Sequence, residues 1–166
     1  MQKTTALLGD LTAVFSARSR YRKSINYERL NTNLKQKLEV ENWDDTQLFT
    51  LFKADNEKQT SFVNTLKEIG WNVCTEAQRN VRRVDDPRFY RFDARMSAEI
   101  VLSESDRVVV MSDSFELFPV VQQLHDMSPD VEVVLAFFAD AVDTRWWKEI
   151  NKNDSYITFV DLDELI

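Results

Sequence analysis

The segment Arg107–Val121, RVVVMSDSFELFPVV, constrains the fold more than any other part of the chain. Val108, Val109, Val110 and Met111 form an apolar run too short for a helix and suited to a strand buried on both faces. Ser112, Asp113, Ser114 and Glu116 follow at once. The apolar spacing then turns helical through Leu117, Val120, Val121 and Leu124, so the acids stand where a strand gives way to a helix. In an open parallel sheet that junction lies at the ligand-binding edge.

The same grammar recurs along the chain. Thr4–Gly9 is an apolar run that ends at Asp10 and reads as a first strand. Leu11–Ser24 is polar and basic, and reads as a loop or an irregular helix start. Tyr27, Leu30, Leu34 and Leu38 recur at three and four residues, which predicts an amphipathic helix from Tyr27 to about Val40. Gln47–Lys53 reads as a second strand, Glu57–Ile69 as a helix stopped by Gly70, and Trp71–Thr75 as a third strand. Pro87, with Asp85 and Asp86, argues against a regular element through Arg79–Arg91. Phe92–Ser103 reads as a helix, Val131–Phe138 as a fifth strand near the centre, Thr144–Ile150 as a short helix and Tyr156–Val160 as a last strand. Asp161–Ile166 reads as a terminal turn. Such alternation predicts an α/β fold, a three-layer αβα sandwich with a mainly parallel sheet of five or six strands. With 166 residues, 43% of them apolar, the chain suits a single domain over residues 1–166.

A net charge of −7 argues against a protein that binds nucleic acid with its whole surface, since phosphates require clustered Lys and Arg. The single cysteine, Cys74, has no intramolecular partner, and no stretch reads as a membrane span or a signal peptide. A reducing, soluble, cytoplasmic setting is therefore expected, with no membrane partner. The absence of a glycine-rich phosphate loop, zinc-ligand spacing and a nucleophile elbow excludes P-loop hydrolases, zinc fingers and α/β-hydrolases.

Five acids fall at predicted strand ends or on the helix before strand four: Asp10, Asp93, Glu99, Asp113 and Glu116. Clustered carboxylates repel unless a cation lies among them, and Mg²⁺ or Mn²⁺ is held by a few carboxylates and several waters. An ion so placed activates water for phosphodiester hydrolysis. Each acid also suits a plainer role: Asp10 as a cap, Asp113 or Ser114 as a helix N-cap, Glu116 and Asp93 as first-turn acids. Asp44, Asp45, Asp161 and Asp163 read as solvated surface or helix starts. Two basic groups are predicted at the same edge. Arg18, Arg20, Arg22 and Lys23 follow strand one; Arg79, Arg82, Arg83, Arg88, Arg91 and Arg95 gather with Phe89 and Tyr90 before strand four. They suit phosphates and unpaired bases, or else surface acids or a protein partner. His125 stands alone and gains no role, Cys74 reads as a small buried hydrophobe, and of Trp146 and Trp147 one is expected in the core and one on a contact surface.

In the order of these motifs, from about Thr4 onward, the chain resembles the NYN branch of the PIN-like nucleases, which includes LabA-like proteins. SDSFELFPVV is similar to that family's Ser-Gly-Asp-x-Asp-Phe motif with its apolar-Pro-apolar helix: Ser112 and Pro119 are in register, Glu116 takes the later Asp, and Ser114 takes the earlier one with Asp113 just before it. Asp10 matches the first-strand acid, with Thr12 nearest the family's Asn. Asp93 and Glu99 keep the spacing of the helix acids, with Arg91 and Phe92 where Gly and Val are usual. DTRWWKEI and YITFVDLDELI resemble the closing helix and strand. The resemblance implies an Mg²⁺- or Mn²⁺-dependent endoribonuclease acting on RNA, with Asp10, Asp93, Asp113 and Glu116 as catalytic metal-holding residues. Glu99, Ser112 and Ser114 would support them, and Arg18, Arg20, Arg22, Arg79, Arg82, Arg83, Arg88, Arg91, Arg95 and Tyr90 would hold RNA. The departures equally suit a degenerate relative that binds RNA or a protein partner without cutting, and self-association stays open. A receiver-like or flavodoxin-like module also places acids at strand ends, but calls for a Lys near the later strands and fewer loop arginines.

Overall fold

The computed structural model describes residues 2–19, 24–52, 55–77 and 92–166. Its strands are the short apolar runs: β1 (Thr5–Asp10), β2 (Asp45–Phe52), β3 (Val73–Ala77), β4 (Arg107–Met111), β5 (Glu132–Phe137) and β6 (Ile157–Asp161). All pair in parallel, in the order β3-β2-β1-β4-β5-β6. Between them lie α1 (Leu11–Ser19), α2 (Tyr27–Lys37), α3 (Glu57–Glu68), α4 (Asp93–Leu102), α5 (Phe118–Met127) and α6 (Arg145–Ile150). Right-handed crossovers require α1–α3 on one face of this sheet and α4 and α5 on the other. Tyr27 of α2 packs edge-on against Phe62 of α3 on the first face, and α4 packs on α5 on the second. The fold is thus the α/β sandwich expected. Val109, Val110, Leu135 and Ala136 are buried in a sheet covered on both faces, which is why β4 and β5 read as unbroken apolar runs.

Local chemistry sets the helix ends. Asn26 and Asn56 start α2 and α3, their side chains accepting backbone N–H bonds from Arg29, and from Lys58 and Gln59. Gly70 ends α3 at φ +95°, where a side chain would be strained. Asn31, almost fully buried, ties the α2 side together: its Oδ1 accepts from the indole nitrogens of Trp43 at 2.8 Å and Trp71 at 2.9 Å.

One expected element differs. Leu11–Ser24 reads as a loop or an irregular start, yet Leu11–Ser19 is a regular helix whose buried positions are Leu11, Val14 and Arg18. The period is helical, but one of its members is an arginine, so hydropathy hides it. Among the described residues no helix is long and apolar enough to cross a membrane. Arg20, Arg22, Lys23, Arg79, Arg82, Arg83, Arg88, Phe89, Tyr90 and Arg91 lie outside the described residues.

Candidate functional site at the carboxyl edge

The chain builds β1, β2 and β3 outward in one direction, then crosses back to place β4 on the other side of β1. Strand order reverses between β1 and β4, the position at which open parallel sheets offer a crevice beyond the carboxyl ends of their strands. Asp10 is the last residue of β1, and Ser112 and Asp113 follow directly on β4. Gly9 permits the close fit of these strands, since a Cβ there would stand 3.1 Å from the Met111 Cβ and 2.7 Å from Leu48 Cδ1.

Asp10 is buried, and its Oδ1 accepts the Ala13 N–H at 2.9 Å, so it caps α1. From the other side comes Asp93, the first residue of α4. A short turn after β4 fixes it. The buried Ser112 Oγ accepts the Ser114 N–H at 3.1 Å, and the Ser114 hydroxyl donates to Asp93 Oδ2 at 2.9 Å. Asp93 Oδ1 is buried and finds no hydrogen-bond partner among the described residues. Asp113 is half-buried, and its backbone carbonyl accepts the Asp143 N–H at 3.1 Å.

Electrostatically the three acids oppose one another. The Asp10 pKa is pushed from 3.8 up to about 7, first by burial and then by the charges of Asp113 and Asp93, against the lowering bonds from Ala13 and Thr12. Among the described residues no cation acts among these causes.

The remaining predicted residues divide. Glu116 sits on a 3-10 turn (Phe115–Leu117), its side chain is 70% exposed, and it faces Arg145 at 4.0 Å rather than acting on Asp10. Its place on that turn sets it beside the Arg145 guanidinium. Glu99, two turns along α4, acts on Cys74 instead. Burial pushes that thiol up, Arg95 pulls it down and Glu99 raises it. Arg18, expected to meet phosphates, is buried with its guanidinium 3.7 Å from the Phe138 ring centroid and paired with Asp140 at 3.2 Å and with Asp163. Its charge is spent inside the fold. Arg95 does lie at this edge, 4.9 Å over the ring of Phe49, the residue registered with Asp10 across β1 and β2.

Several other residues hold structural places. Asp163 thus pairs with Arg18, and Asp44 Oδ2 accepts the Thr5 N–H at 2.6 Å. His125 stacks on Tyr156 at 3.7 Å, and half-buried Cys74 meets Gln47 Oε1 at 3.2 Å. Trp146 is core, while Trp147 packs edge-on against Phe159.

Among the described residues no three His, Cys, Asp or Glu side chains form a group that encloses a metal ion directly. A hydrated Mg²⁺ asks for less, keeping several waters and taking one or two carboxylates. The orphaned Asp93 Oδ1, together with a buried Asp10 opposed by two acids, fits that looser mode.

No protein-family model matches the chain, and no curated protein matches it. Among solved structures, a protein of unknown function from Vibrio parahaemolyticus is similar over 97% of each chain, with a TM-score of 0.69 and 15% identity. At that identity the likeness shows a shared fold.

Proposed function

We propose that this chain is a divalent-metal-dependent ribonuclease of the NYN/PIN-like type, cytoplasmic in setting, with its site in the crevice between β1 and β4. The observation that carries the reading is Asp93: its Oδ1 is buried with no hydrogen bond from the described residues, beside a second buried carboxyl whose proton is held up to about 7. Leaving such groups uncompensated costs stability, which a cation would restore. Asp93 and Asp113 would hold Mg²⁺ or Mn²⁺ largely through its waters. When bound, the ion supplies a lowered water pKa and neutralises charge on the phosphate oxygens.

The side chains do the rest. Ser114 positions Asp93 through its 2.9 Å bond. Asp10, balanced near neutrality, is suited to take a proton from the attacking water. Arg95 supplies positive charge at the same edge, where RNA phosphates would lie.

The test is cleavage of a fluorescent single-stranded RNA with Mn²⁺. Wild type should cut it, EDTA should stop it, and Asp10→Asn and Asp93→Asn should each lose at least roughly a hundredfold. Full cleavage by both variants rejects the site. A second reading, a non-catalytic adaptor, is favoured by the engagement of Glu116 with Arg145. Absence of any Mn²⁺-induced thermal shift, together with absence of cleavage, selects it.

A further inference from the structure

Beside the carboxylates, two rings are stacked and a guanidinium lies over one of them. The rings of Phe115 and Phe118 lie 5.0 Å apart and within 8° of parallel, and the Arg145 guanidinium sits 4.8 Å from the Phe115 centroid. Trp146 wedges both rings edge-on, at 5.2 and 5.9 Å. Asp143 pins the guanidinium in two places, accepting Nε on Oδ1 at 3.1 Å and Nη2 on Oδ2 at 2.8 Å. Glu116 stands 4.0 Å away.

These two carboxylates offset the arginine's charge, and Asp143 occupies two of its donors, so Arg145 is a poor phosphate clamp. What they leave is its plane. The side chain is held in one orientation yet 59% exposed, and Asp143 in turn donates its N–H to the Asp113 carbonyl. A fixed guanidinium plane at such a place suits the face of an unpaired base, which every nucleotide offers whatever its sequence.

We propose that Arg145, seated on Phe115, is a stacking platform for an unpaired nucleobase next to the phosphate at the Asp10–Asp93–Asp113 site. The ligand class rests on the ribonuclease reading. The test separates the two. Binding of a fluorescein-labelled ten-nucleotide oligoadenylate is followed by anisotropy in EDTA, where no cleavage occurs. Arg145→Ala and Arg145→Lys should each weaken binding by about five- to a hundredfold, because lysine keeps the charge and loses the plane. In oligonucleotides with one abasic position, a single position should weaken the wild type to a similar degree and leave Arg145→Ala unaffected.

Wild-type affinity in Arg145→Lys, fully additive losses, or no RNA binding by the wild type overturns the platform; the last outcome is the one expected if this surface serves a protein partner. The exposed side chain lets both variants fold, which their melting curves check. Binding that depends on Arg145 without Mn²⁺-dependent cleavage would remove the ribonuclease reading and keep the platform. Unchanged binding with cleavage intact would do the reverse.

Discussion

Helix α1 carries a buried charge-bearing group at each end, and the molecule treats them in opposite ways. Arg18, two turns beyond Asp10, is enclosed by an aromatic face and two carboxylates, Asp140 and Asp163. Asp10 is as deeply buried, but its neighbours Asp93 and Asp113 are also acids. One end is compensated by the fold itself. The other has its protonation pushed up to about 7. A chain that neutralises one buried charge so fully and leaves the next opposed separates scaffold from site within nine residues of helix.

The largest effect that would break this contrast is on pH dependence. Asp10's folded pKa of about 7 lies above its ordinary value of 3.8, so between these values the unfolded chain gives up its proton first. Stability should therefore fall as pH rises from about 4 to about 7, by something on the order of 4 kcal/mol, and level off above. Asp10→Asn, which keeps an acceptor for Ala13, should flatten that slope and melt higher than wild type at pH 8 but not at pH 4. Equal slopes in urea titrations of the two proteins would show that Asp10 is not opposed in solution.

Next in size is the compensated end. Arg18→Ala should cost about 3 kcal/mol in urea denaturation, through lost packing and pairing, while Arg18→Met, which keeps the volume, should cost about 1 kcal/mol or less. A loss under about 1 kcal/mol for Arg18→Ala would show the enclosure to be incidental. The smallest expected effect sharpens the comparison. Ser114→Ala removes the only hydrogen bond the described residues give the Asp93 carboxylate, and should cost about 1–2 kcal/mol. Added Mn²⁺ should recover part of that loss, read as a thermal shift larger than the wild type's.

How much of this was legible depends on whether neighbours in space were also neighbours in pattern. Val108–Met111 and Val131–Phe138 announce their strands because burial on both faces demands unbroken apolar runs. Asp10 and Asp113 were readable as candidates because strand ends in a parallel sheet share an edge, and Asp93 because it opens the helix that leads into β4. Arg18 misled twice. Its charge masked the period of α1 and suggested a phosphate contact, whereas its burial was decided by Phe138, Asp140 and Asp163 more than a hundred residues away. Glu116 meets Arg145 from the 3-10 turn before α5, a turn that apolar spacing does not announce, with Pro119 in the first helical turn after it. Arg145 on Phe115 and Asn31 between two tryptophans are tertiary facts with no period to betray them.

The place of β1 between β2 and β4 has a consequence for biosynthesis. Of these six strands the first to leave the ribosome, β1, is one of the two middle strands of the sheet. It can recruit β2 early, but its other side waits until residues 107–111 have been translated. Through that interval an apolar edge stays unpaired, so folding should be late and slow, with exposure to misassociation greatest before β4 arrives.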